Sequence, residues 1–223
     1  MPQKILFKYT SKLRPDNFFR GLDSIVNNIV NKDDYFILCS FDIDDHEYKK
    51  DEFMRRLGLY KNMACFFGIS ESKIDAINRD IALAPLFDIV VNFSDDQVFI
   101  KNGFDDIIRY EMCRAFPDMD GVLNFRDSNN HGNLMTMSVI GKKYFQRTNS
   151  IYNPEYKSEW ADMEAQNVAI ALGKLKLIKE IIYKHLHPIY KSAPMDEVYE
   201  KAYQYVQADR DLYFRRLANN FDL

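Results

Sequence analysis

Short apolar runs separated by polar, helix-periodic stretches dominate the first half of the chain. Ile5-Leu6-Phe7, Tyr35 to Phe41, Met63 to Gly68 and Phe87 to Val91 each read as a buried strand. Runs of this length, bounded by turn-forming residues, fit strands covered on both faces. Between the first two, Phe18, Leu22, Ile25, Val26 and Ile29 recur at helical spacing. Pro15 suits the first turn of that helix, where a missing N–H costs nothing. A second helix is expected from about Ser70 to Ala84, with Ile74, Ile77 and Ile81 facing inward. Strand and helix therefore alternate, which is the signature of a parallel α/β sheet.

The second half is less regular. Phe104 to Ala115 reads as a helix, and Gly121 to Phe125 and Leu134 to Ile140 as strands flanking a polar loop, Arg126 to Asn133. Tyr144 to Thr148 suggests a short helix, Tyr152-Asn153-Pro154 a turn, Trp160 to Leu172 a helix and Leu175 to Tyr183 a strand that ends at His185-Leu186-His187-Pro188. From about Met195 to Leu217 the pattern is helical and charged. With no internal repeat and no clear linker, the simplest division is one domain over 1–190 with a C-terminal helical extension over 191–223 packed on it.

A net charge of -3 provides no general attraction to nucleic acid or anionic membrane. Cys39, Cys65 and Cys113 are far apart and lack the CxxC spacing of zinc sites. The start has no signal-peptide core, and no run approaches the ~20 apolar residues of a membrane span. The expectation is a soluble protein in the cytoplasm, in a reducing compartment.

Acidic residues change this picture. Asp42, Asp44 and Asp45 follow the second strand, and Asn92-Phe93-Ser94-Asp95-Asp96 follows the fourth. Acids are poor strand formers and costly to bury unpaired. One such cluster is an ordinary solvated loop. Two fall on the same edge, beyond the C-terminal ends of parallel strands, where such sheets bind ligands. Asp95 and Asp96 are well placed there to hold a divalent cation against a phosphorylated ligand.

The order of these features resembles the GT-A glycosyltransferases, especially the family 2-like nucleotide-sugar transferases. The segments that carry the likeness are Ser11-Lys12-Leu13-Arg14-Pro15, Ser40-Phe41-Asp42-Ile43-Asp44-Asp45, Ser70 to Arg79, Phe93-Ser94-Asp95-Asp96, Trp160-Ala161-Asp162-Met163-Glu164 and His185, spread over residues 4 to 190. None is specific alone. The resemblance implies a GT-A α/β fold with a mostly parallel central sheet flanked by helices. The metal motif of these families is usually Asp-x-Asp; here Ser94 takes the first acidic position.

The resemblance also implies roles. Asp96 aligns with the direct metal ligand, Asp95 lies beside it, and His185 resembles the late histidine that completes the site for Mn²⁺ or Mg²⁺; His187 ranks second. Asp42 resembles the acid that accepts from nucleobase or ribose, with Asp44 and Asp45 as neighbouring alternatives. Thr10, Ser11, Arg14, Ser94 and Asn78 occupy positions of nucleotide contacts, and Lys73 and Arg79 are cations suited to phosphate. Asp162 matches the catalytic base of inverting enzymes, with Glu164 the alternative two residues on. Trp160 either stacks on a sugar ring or staples the helix start. The implied activity is metal-dependent, inverting transfer of a sugar from a UDP- or GDP-sugar to a hydroxyl of a glycan, glycolipid or modified nucleic acid. A nucleotidyltransferase that makes nucleotide sugars is the runner-up, but it normally has a Gly-rich loop after the first strand, and Lys8 to Lys12 has no glycine. A nucleotide- or carbohydrate-binding module without turnover is the non-enzymatic alternative.

Overall fold

The computed structural model describes residues 2–129 and 134–223. Its core is a seven-stranded sheet built from β1 (Ile5–Thr10), β2 (Tyr35–Asp42), β3 (Met63–Gly68), β4 (Ile89–Ser94), β6 (Val122–Arg126), β7 (Ser138–Gly141) and β8 (Leu175–Ile181), in the order β3-β2-β1-β4-β7-β6-β8. All neighbours pair in parallel except β7, which runs antiparallel to both β4 and β6. A separate antiparallel pair joins β5 (Gln97–Phe99) to β9 (Tyr183–His185).

Helices cover both faces. Along β1, β2 and β4, Phe7, Tyr9, Ile37, Cys39, Phe41, Ile89 and Val91 pack with α1 (Pro15–Asn28), α2 (Asp51–Leu57) and α4 (Phe104–Ala115). Leu6, Leu38 and Val90 face α3 (Lys73–Asn78), α5 (Lys142–Phe145), α6 (Ala161–Ala171) and α8 (Val206–Ala218). Burial on both faces is why these strands read as continuous apolar runs. Toward the C-terminal edge the second face turns polar: Leu6 is followed by buried Lys8, Leu38 by Ser40 and Val90 by Asn92. Lys8 donates to Ser40 Oγ, which donates to Asp80 at 2.6 Å.

Several elements depart from the sequence reading. The helix expected over 70–84 stops at Asn78, where Arg79 is extended and Asp80 is left-handed (φ 67°). A 3₁₀ turn, Ile81–Leu83, follows, so Ile81 is still buried without one continuous helix. The strand expected over 134–140 begins only at Ser138, because side chains take the backbone before it: Gln166 Oε1 accepts from Met135 N at 2.7 Å, and Gln97 Nε2 donates to Thr136 O at 2.8 Å. The polar loop over 126–133 lies partly outside the described residues, at 130–133. Between β2 and β3, α2 carries a pattern too short to stand out, with Phe53 and Leu57 buried. The segment after 190 forms α7 (Glu197–Tyr203) and α8 rather than one helix. The α8 residue Asp209 accepts from Lys157, Ser158 and Glu159 N–H groups at 2.8–3.0 Å, tying that helix to the loop before α6. No helix among the described residues is long and apolar enough to cross a membrane.

Candidate active site

Parallel register brings the strand ends together: Thr10 lies beside Ser40 on β2 and Ser94 on β4, and Asp42 beside Gly68 on β3. The chain then turns at Asp95 and Asp96 into β5. Pairing of Gln97 with His185 carries the late histidine back against this turn, across 89 residues of sequence. His185 Nε2 stands 3.3 Å from Asp96 Oδ2, and Leu186 N donates to the Asp96 backbone carbonyl at 2.6 Å.

The two adjacent acids have different surroundings. Asp95 faces the β1–α1 loop, where Ser11 Oγ donates to Oδ2 at 2.5 Å and Arg14 Nη1 to Oδ1 at 3.3 Å. Burial and the neighbouring Asp96 carboxylate push its pKa up, against the pull of Arg14 and Ser11. Asp96 accepts from Ser94 Oγ on one oxygen and from Tyr199 at 3.2 Å on the other. Burial opposes its charge, but the His185 hydrogen bond and attraction, Lys73 and Ser94 outweigh that and hold it well below the usual carboxylate range. Asp96 and His185 are thus the two expected ligands that the structure brings side by side. Asp95, the other expected ligand, has both oxygens engaged by Ser11 and Arg14 on the opposite side of the turn. Ser94, at the expected acidic position, orients Asp96 instead of adding a charge.

Asp96 and His185 fit a divalent ion. Adjacent ligands of an octahedral ion at ~2.1 Å lie ~3 Å apart, close to their separation, and a mixed carboxylate–imidazole pair suits Mn²⁺ or Mg²⁺ with other ligands drawn from phosphate and water. The second ring nitrogen of His185 has no hydrogen-bond partner among the described residues and lies 3.9 Å from Asp127 Oδ2, a carboxylate well placed to orient the ring. Among the described residues, no three or more His, Cys, Asp or Glu are gathered to hold an ion unaided.

The remaining candidates separate into groups. Asp42 is at the β2 end, bound by Lys12 at 2.5 Å; exposed Asp44 is 3.8 Å from the same ammonium. Asp45 is buried and accepts from Leu13 N and Glu47 N, which makes it a loop brace. Arg79 donates to Phe41 O and lies where a Cβ on Gly68 would stand, so its guanidinium covers the ends of β2 and β3. Lys73 is exposed; desolvation opposes its charge, but Glu159, Asp96, Asp162 and Asp95 raise its pKa. Asn78, an expected nucleotide contact, bonds the 151–152 backbone instead of facing the acidic edge with its amide free. Its Oδ1 accepts from Ile151 N and Tyr152 N and its Nδ2 donates to Tyr152 O, all within 3.1 Å.

Asp162 and Glu164 are two residues apart on α6, so helical geometry turns them to different sides. Burial and Glu159 push the Asp162 pKa up, and Lys73 opposes them. Glu164 is buried and accepts from Tyr156, Asn153 and Arg216 at 2.6–3.1 Å. These contacts make Glu164 an internal brace of the loop before α6 and of α8. Trp160 packs its ring 5.2 Å from Tyr213 and 5.8 Å from Phe214 on α8. His187 accepts from Ile189 N on Nδ1, and its ring packs 5.3 Å from His185 and 4.7 Å from Tyr199.

Tyr199, Asp196, Lys12 and Asp127 were not singled out in the sequence. Asp196 has a legible local sign, since an Asp before Glu-Val-Tyr is a helix N-cap, and it accepts from Val198 N and Tyr199 N. Its meeting with Arg14, 182 residues away, has no local sign. A cleft of about 400 Å³ lined by Asn78, Asp80, Phe87, Lys142 and Gln146 lies at the other end of β4 and includes none of these acids except Asp80.

No family model matches the chain, and no curated protein matches it. Solved structures do. A mannosyltransferase from Pyrobaculum calidifontis in complex with GDP-Man and Mn²⁺ is 13% identical with a TM-score of 0.62, over 81% of this chain and 55% of that one. S. aureus TarS 1-349 in complex with UDP-GlcNAc is 13% identical with a TM-score of 0.63, over 86% of this chain and 62% of that one. The same TarS segment with UDP gives 12% and 0.63, over 81% and 60%. The chain thus spans a little over half the length of these proteins. The sheet order, its one reversed strand and these likenesses show that the chain has the GT-A glycosyltransferase fold.

Proposed function

We propose that this chain is a metal-dependent, inverting glycosyltransferase that uses a nucleotide-diphospho-sugar. The observation that carries the reading is the β5–β9 pairing, which sets His185 against Asp96 at the C-terminal edge of a GT-A sheet. The neighbours with bound GDP-Man, UDP and UDP-GlcNAc support a nucleotide-sugar donor, and the Mn²⁺ in one of them supports a divalent ion. Such an ion, when bound, neutralises the charge that builds on the leaving diphosphate.

The chain's own residues supply the rest. Asp96 and His185 would hold the ion, and Ser94 engages one Asp96 oxygen. Asp42 accepts from base or ribose once Lys12 shifts; Arg79 and Lys73 are further cations suited to the diphosphate. Asp162 takes the proton from the acceptor hydroxyl as its oxygen bonds the anomeric carbon, while the bond from that carbon to the diphosphate oxygen breaks. The nucleoside diphosphate leaves on the opposite side and configuration inverts. A raised carboxylate pKa suits a base that must pick up a proton.

The test is transfer or hydrolysis of a panel of UDP- and GDP-sugars with Mn²⁺, read as nucleoside diphosphate released. Asp162→Asn is expected to keep donor affinity and lose transfer by ~10²–10⁴-fold, the usual range for a general base. Wild-type rates in that variant would overturn the assignment of Asp162.

A further inference from the structure

The segment from β9 to α7 crosses the acidic edge and is fastened to it at separate points. Leu186 N bonds the Asp96 carbonyl. The Tyr199 hydroxyl donates to Asp96 Oδ2, the oxygen that also faces His185. Asp196 takes the Nε–Nη2 edge of the Arg14 guanidinium, with Nε donating to Oδ2 at 2.8 Å and Nη2 to Oδ1 at 2.5 Å. The Tyr199 ring lies 3.9 Å from the guanidinium carbon. With Nη1 on Asp95, each of the three Arg14 nitrogens has a carboxylate partner.

Between Tyr183 and Tyr199 no residue is buried, and Ile189 and Met195 are exposed. The strap therefore has no core of its own, and polar contacts to the site hold it. Such a segment opens locally at small cost. A guanidinium fork matches carboxylate and phosphate in the same geometry, so one excludes the other.

We propose that the strap is an autoinhibitory latch: Asp196 stands in for a donor phosphate on Arg14, and the Tyr199 hydroxyl occupies the Asp96 oxygen that a cation needs. This rests on the donor-site reading above. Nucleoside diphosphate with its ion competes with the latch, and the apparent dissociation constant is weakened by the fraction of molecules still latched.

Two conservative variants isolate the latch. Asp196→Asn keeps a good N-cap and removes the charge; Tyr199→Phe keeps the ring on Arg14 and removes the hydroxyl. Calorimetry with UDP and with GDP, each with Mn²⁺, is expected to show binding about tenfold tighter to Asp196→Asn than to wild type, the scale set by losing charge-assisted hydrogen bonds. Tyr199→Phe is expected to bind more tightly as well. Hydrogen exchange without nucleotide should be faster across 186–199 in Asp196→Asn and unchanged in β1, β2 and β4. Binding to wild type and both variants with equal affinity overturns the latch alone. Weaker binding to Asp196→Asn, with the strap protected by nucleotide in the wild type, makes it a closing lid and also overturns the latch. No binding of either nucleotide to any of the three proteins overturns the donor-site reading and the latch with it.

Discussion

Glu164→Gln separates a brace from a base. The carboxylate is 4% exposed, and Tyr156 at 2.6 Å, Asn153 at 2.9 Å and Arg216 Nε at 2.9 and 3.1 Å all donate to it. Gln keeps the shape but places an amide donor among these donors and removes the charge. Breaking a fully buried pair from one side costs ~3–5 kcal/mol. Arg216 is less buried than Glu164 and keeps Asp222 at 2.9 Å and Glu155 at 3.3 Å, so it is not orphaned. The expected loss is therefore ~2–3 kcal/mol, below the range for a fully buried pair and in line with hydrogen bonds to a charged group. For a chain of this size that is ~4–12 °C in Tm. Trp160, packed on α8, the helix that carries Arg216, reports unfolding in urea by fluorescence. The expected result is a lower urea midpoint with an unchanged transfer rate per folded molecule. An unchanged midpoint with lost transfer would refute the reasoning and return Glu164 to the role of base.

Two further predictions follow from the same structure. Asp96→Ala should weaken Mn²⁺-dependent UDP or GDP binding at least about tenfold, which is ~1.4 kcal/mol; equal affinity with and without EDTA in the wild type would sink the metal reading. Lys8 is fully buried, and desolvation lowers its pKa from 10.5 to about 8 despite attraction to Asp80. Below that value both folded and unfolded chains carry the proton; above it the folded chain loses it first, so the unfolded state binds more protons and stability rises with pH. That contributes ~2 kcal/mol between pH 7 and 9.5. Urea titrations at both pH values should show this gain in the wild type relative to Lys8→Met, and identical pH slopes would refute it.

The strands of the first half were legible because their signal is local. β1, β2, β3 and β4 are buried on both faces, and burial on both faces writes itself as an apolar run. The start of α1 at Pro15 and the acids beyond β2 and β4 were visible for the same reason. From these, parallel topology and the ligand-binding edge followed. Arg79 and Asp80 ended α3 early because the Arg79 guanidinium reaches back to Phe41, a contact spanning 38 residues that no helical period records.

Which residues work together was decided by tertiary structure alone. Asp95 and Asp96 are neighbours in sequence, yet the β1–α1 loop claims one and β9 the other. Asp162 and Glu164 share a helix start, and only the position of Arg216 on α8 and Tyr156 turns the second into a brace. Asn78 looked like a ligand contact until the 151–152 backbone took its amide. The physical reason is common to all three. A side chain's residue type fixes what it can donate or accept, and local pattern fixes the element it sits on. Its partner is set by long-range pairing, such as β5 with β9 or Arg14 with Asp196, whose geometry exists only once the chain has closed on itself.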